Sequence, residues 1–163
     1  MPDTSVALGG MRLLNPVILG SGDHLMTAGG IRAGLATGAA AVVAKSANES
    51  EAAKRQLDGS DHVLLDSAWR KLPWDFTPPA DAMLFGRSGL HQAAPEDWIE
   101  QVAALVREAA ALGQYVIGAR RLAGMDAACE LARRYERAGI RVLEFNIGAP
   151  HGDEAAAGAI VQE

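Results

Sequence analysis

The chain has 163 residues, 49% of them hydrophobic and 21% charged, with a formal charge of −5 and one cysteine. That length is enough for one domain with a real core, and the negative balance provides no basic footprint for nucleic acid. A lone cysteine excludes an internal disulfide and suits a reducing compartment. No run approaches the roughly 20 apolar residues of a membrane span and no secretory leader opens the chain, so a cytoplasmic protein is expected.

The runs 6–8 and 11–13 flank Gly9-Gly10, which predicts a short β-hairpin. Asn15-Pro16 breaks the pattern, and the wholly apolar 17–19 reads as a short strand ending at Gly20-Ser21-Gly22. A helix-then-strand theme then recurs. A helix over 27–36 ends at Gly38 and leads into a strand over 40–46. Another over 96–112 ends at Gly113 before a strand at 115–118, and the last, over 126–138, ends at Gly139 before a strand at 141–146. Each glycine stands where a helix end needs left-handed geometry, and each strand is apolar rather than alternating, as parallel strands covered by helices are. The expected class is α/β.

The segment 48–90 differs. It carries Trp69, Trp74, Pro73, Pro78 and Pro79 with little sustained periodicity. It reads as a long loop excursion after the second strand, with one short strand at 63–65, and a loop of this length in a compact domain is usually functional.

Active sites of α/β folds lie beyond the carboxyl ends of the strands. Those ends carry Gly20-Ser21-Gly22, Lys45-Ser46, Ala119-Arg120 and Asn146 with Gly148. Taken singly, Lys45 also reads as a solvated loop lysine and Asn146 as a turn former. Together they point to one shared rim. A dinucleotide fingerprint is disfavoured, because Leu25 stands where its last glycine belongs and Lys45 ends the next strand in place of an acid. His24, His62, His91 and His151 lack ligand spacing, so no metal is expected. Cys129 reads as a small buried residue in mid-helix, and Gly86-Arg87-Ser88-Gly89 as a plain turn.

The opening Leu8-Gly9-Gly10-Met11-Arg12-Leu13-Leu14-Asn15-Pro16-Val17-Ile18-Leu19-Gly20-Ser21-Gly22 resembles the start of dihydroorotate dehydrogenases and of the pyrimidine domain of dihydropyrimidine dehydrogenases. Gly38-Ala39-Ala40-Ala41-Val42-Val43-Ala44-Lys45-Ser46 is similar to their second strand. Glu144-Phe145-Asn146-Ile147-Gly148-Ala149-Pro150-His151-Gly152 resembles their E-L-N-x-S-C-P-[HN]-G signature. The resemblance implies a partial (β/α)8 TIM barrel, about its first four β/α units after a short N-terminal hairpin. It implies FMN at the carboxyl face, with Gly20 and Ser21 beside the flavin and Lys45 and Ser46 contacting both the ring and the substrate. Asn146 would hydrogen-bond flavin and pyrimidine alike. Leu65-Asp66-Ser67 aligns with the family's I-N-S substrate loop, so Asp66 and Ser67 would meet the substrate, with Asp66 in place of an amide. The implied activity is an FMN-dependent oxidoreductase acting on CH–CH bonds, with hydride transfer between flavin and a pyrimidine-like ring.

This sequence departs from the family where the proton is moved. Ala149 occupies the catalytic cysteine position and Gly148 the serine before it, and alanine cannot carry a proton. His151 is the nearest candidate base, and it equally matches the positioning histidine of the dihydropyrimidine branch. The pattern accounts for about four of the eight barrel strands. Residues 1–163 are therefore expected to be the N-terminal half of one barrel domain, either a fragment or a subunit completed by a partner chain. The competing expectations are a tRNA-dihydrouridine synthase-like flavoenzyme, which the negative charge speaks against, and a non-catalytic half-barrel subunit.

Overall fold

The structure is a computed structural model that describes residues 2–46, 51–56, 58–59, 61–74, 77–121 and 125–146. At its start, β1 (Val6–Leu8) and β2 (Met11–Leu13) pair antiparallel with Leu8 opposite Met11, the hairpin that Gly9-Gly10 predicts. The chain then runs through β3 (Ile18–Leu19), a 3-10 turn (Asp23–Leu25), α1 (Ala28–Ala36) and β4 (Ala41–Val43). Thr27 Oγ1 accepts the Gly30 amide at 3.1 Å and caps α1. After β4 come α2 (Glu51–Gln56), β5 (Asp61–Leu65), β6 (Lys71–Leu72) and β7 (Met83–Arg87). The order closes with α3 (Pro95–Ala110), β8 (Tyr115–Arg121), α4 (Met125–Arg137) and β9 (Leu143–Asn146). Pro95 opens α3 with Glu96 and Asp97 in its first turn, where a missing amide is harmless and negative charge is favoured. Gly38, Gly113 and Gly139, expected to end the long helices, all hold positive φ.

Four strands form a parallel sheet in the order β3-β4-β8-β9, which is their order along the chain. Helices occupy the connections, and their apolar stripes meet one face of the sheet. There Val42, Ala44 and Val116 pack with Ile31 and Leu35 of α1, Trp98 and Val102 of α3, and Leu131 and Tyr135 of α4. On the other face Ala41, Val43, Ile117 and Ala119 pack with Leu13 of the hairpin, and no residue of those three helices joins that cluster. The helices therefore wrap one side, and the hairpin covers the amino end of the other. Among the described residues the sheet is open, with β3 and β9 at its edges. None of the described helices is long and apolar enough to cross a membrane.

Two expectations change. The segment after β4 is more than a loop with one strand, since β6, β5 and β7 make an antiparallel sheet of their own. Its periodicity is hidden because β7 has no buried position to impose alternation. Cys129 is exposed. Among the described side chains of α4, Ala128, Leu131 and Tyr135 are buried, a stripe that leaves Cys129 outside it.

Candidate active site

The carboxyl rim of the parallel sheet is built around Lys45. On β4, Ala41 and Val43 face away from the helices, so two residues further on Lys45 continues that face. The ladder carries on past Val43, with the Ala44 amide donating to the Ile117 carbonyl at 2.9 Å. The backbone of Lys45 is then fixed from both sides. Its amide donates to the Leu25 carbonyl at 3.1 Å, and its carbonyl accepts the Trp98 indole N–H at 2.8 Å.

The side chain of Lys45 is only 8% exposed, and its ammonium is satisfied by two neighbours. Nζ donates to Ser88 Oγ at 2.7 Å and lies 3.3 Å from Asp23 Oδ1, while the Ser88 hydroxyl donates to the same Asp23 oxygen at 2.5 Å. A buried ammonium without a partner is costly, so the carboxylate is what makes this lysine tolerable here. Asp23 comes from the 3-10 turn, whose position is set by close approach to α1. A side chain on Gly30 would meet the His24 carbonyl oxygen at 1.8 Å. Ser88 arrives from the end of β7, so the small antiparallel sheet delivers a hydroxyl to the rim of the large one.

The structure brings several of the expected residues to this rim. Gly20 follows β3, and beyond its chain neighbours no atom lies within 4 Å of where a Cβ would stand, leaving open space there. Ser21 follows it half-buried, and Ser46 is buried beside Lys45. Asn146 ends β9, exposed, opposite Arg121. Leu143 packs towards the helices, so by alternation Asn146 lies on the Lys45 face. The register pairs Val43 with Ile117 and Ala119 with Glu144, so the position across Ala119 from Lys45 is that of the exposed Glu144, and Asn146 stands on the same face two residues further along β9, opposite Arg121. Two strand spacings and two residues of rise separate Lys45 from Asn146, about 12 Å.

Other expected residues are placed elsewhere. Asp66 and Ser67 lie in the turn between β5 and β6. The Asp66 carboxylate accepts the Ala68 and Arg70 amides, each at 2.9 Å, and Arg70 Nε at 2.8 Å. The Arg70 amide, ahead of the other contacts, holds that carboxyl below its usual range. Asp66 is committed to the turn, and the structure joins neither it nor Ser67 to Lys45. Arg120 sits on the helix side of β8, fully buried, donating to the Ala127 carbonyl at 2.6 Å. Gly148, Ala149 and His151 lie outside the described residues.

Asp23, Ser88 and Trp98 were not singled out by sequence reasoning. Asp23 directly follows the glycine-rich strand end, and Ser88 sits in the Gly86-Arg87-Ser88-Gly89 run that reads as a plain turn. Only the fold brings them to Lys45. Behind the rim, His91 stacks on Trp98 with ring centroids 4.0 Å apart. Burial, and then the Lys54 charge, push the His91 pKa below its ordinary value.

A cavity of about 1130 Å³ lies at the other end of the sheet, lined by Met11, Leu13, Val106, Ala110, Tyr115 and Val142 among others. None of the expected site residues lines it. Among the described residues no group of three His, Cys, Asp or Glu side chains is placed to hold a metal ion. Compared with known proteins, the chain matches no family model and no curated protein.

Proposed function

We propose that this chain supplies the first β/α units of an FMN-binding barrel, in a cytoplasmic oxidoreductase acting on a CH–CH bond of a pyrimidine-like ring. Further strands would come from the rest of the protein or from a partner subunit and would add at the open edges β3 and β9. The observation that carries the reading is that Lys45 and Asn146 stand on one face of the rim, with Ala119 and Glu144 level with the lysine and Asn146 one same-face position further along β9.

The donor set fits a flat heterocycle. Lys45 contributes an ammonium, Ser21 and Ser46 hydroxyls, and Asn146 an amide that both donates and accepts. Open space beside Gly20 lets a ring approach the backbone. When bound, the flavin would supply two-electron hydride exchange, which no side chain can. Lys45 would stabilise negative charge on the reduced ring, its own charge held in place by Asp23 and Ser88. Asn146 would orient the substrate. Asp66 has no part in this set, its carboxylate being used by the turn.

The test is the whole protein from its complete reading frame, examined for bound FMN by visible absorption and titrated with FMN after stripping. The expected result is stoichiometric flavin. Lys45→Ala should lower the rate of flavin reduction by a dihydropyrimidine by about 100-fold or more, the size of losing one preorganised electrostatic donor. Protein that neither carries nor takes up flavin overturns the reading.

A further inference from the structure

Ala149 cannot carry the proton that the proposed reaction moves and His151 lies outside the described residues, whereas the described rim contains a hydroxyl held between a carboxylate and an ammonium. We propose that Ser88 is the acid/base residue, an inference that rests on the function proposed above. Its hydroxyl accepts from the Lys45 ammonium at 2.7 Å and donates to Asp23 Oδ1 at 2.5 Å. An ordinary serine hydroxyl is a poor base. Here a carboxylate is aligned to take its proton, and an ammonium is aligned to stabilise the oxygen left behind. Ser88 itself is exposed, Asp23 is half-buried and Lys45 is buried, so the hydroxyl is the most open member of the trio. Asn146 does not titrate. Lys45 is engaged by both partners.

In a dihydropyrimidine, C5 lies next to a carbonyl, which makes its hydrogen removable as a proton. The C5–H bond breaks, its electron pair becomes the new C5–C6 π bond, and the proton passes to Ser88 Oγ. The hydroxyl proton of Ser88 moves to Asp23, whose side chain is 27% exposed and can release it to solvent. A bound flavin would accept the C6 hydride, so that the two-electron oxidation of the ring is balanced by the flavin's two-electron reduction. In the reverse direction Asp23 returns the proton through Ser88.

Enolisation at C5 needs the base but not the flavin, and this separates the inference from the reading beneath it. The experiment follows loss of the C5 proton signal of dihydrouracil in D2O by NMR, using the whole protein stripped of flavin. Dihydrouracil binding is measured alongside, so that exchange is expressed per bound ligand. Wild type should exchange above the buffer rate. Ser88→Ala should slow exchange by about 100-fold or more, the usual contribution of a positioned acid/base group, and Ser88→Cys should restore part of it. A serine that only fastens the β7 loop to the rim would alter binding and leave exchange per bound ligand unchanged. Unchanged exchange in Ser88→Ala, or no exchange by wild type, overturns the inference. Ser88-dependent exchange in a protein that takes up no flavin overturns the proposed function and leaves the role of Ser88 standing.

Discussion

Replacing Trp98 with phenylalanine tests whether the rim is held as described. Trp98 is 1% exposed, its indole N–H donates to the Lys45 carbonyl at 2.8 Å, and His91 stacks on it. Phenylalanine keeps an aromatic face for His91 and removes the donor. A buried carbonyl deprived of its donor costs about 1–3 kcal/mol. The smaller ring adds about 1–2 kcal/mol for the lost contacts and the cavity behind it. The sum, about 2–5 kcal/mol, is a large fraction of the stability of an ordinary domain. Thermal unfolding followed by circular dichroism should show the midpoint falling by roughly 4–20 °C, at about 2–4 °C per kcal/mol for a chain of this size. A midpoint within about 2 °C of wild type would refute the argument, because such a shift corresponds to less than 1 kcal/mol.

Packing and pH provide two further tests. A Cβ at Gly118 would meet Tyr135 Cε1 at 2.7 Å and Leu143 Cδ2 at 2.8 Å. The Tyr135 ring is fully buried and its hydroxyl donates to the Ala119 carbonyl at 3.1 Å, so it has little room to yield. Gly118→Ala should therefore cost about 1–3 kcal/mol in urea unfolding, and a neutral result would mean that α4 packs less closely on the sheet. His91 is held below its ordinary pKa of 6.5 by burial and then by Lys54, so the unfolded chain takes up that proton more readily than the folded one. Its contribution to stability is full above about pH 6.5 and is lost as the pH falls through 6.5 towards the lower folded value. His91→Phe should flatten the stability profile in that window, and a slope equal to that of wild type would assign the effect to other groups.

Local physics makes much of this chain legible in its sequence. The hairpin at Gly9-Gly10, the glycines that end the long helices and the apolar strands after them follow from backbone preference and burial, which act over a few residues. Strand ends are readable for the same reason, and Lys45 and Asn146 do stand at the rim on one face. Three things required the fold. The pairing of β5, β6 and β7 is hidden because β7 is exposed throughout, so no alternation marks it. The destination of Asp66 is hidden because a carboxylate in a turn and one in a binding loop have the same local sequence signature. The Asp23–Lys45–Ser88 cluster is hidden because Asp23 and Ser88 stand 22 and 43 residues from the lysine they meet. Sequence alone determined the hairpin, the long helices and the apolar strands after them, and where polar side chains interrupt those strands. Which of those side chains meet was decided by tertiary packing, because a buried ammonium must find its partners wherever the folded chain brings them.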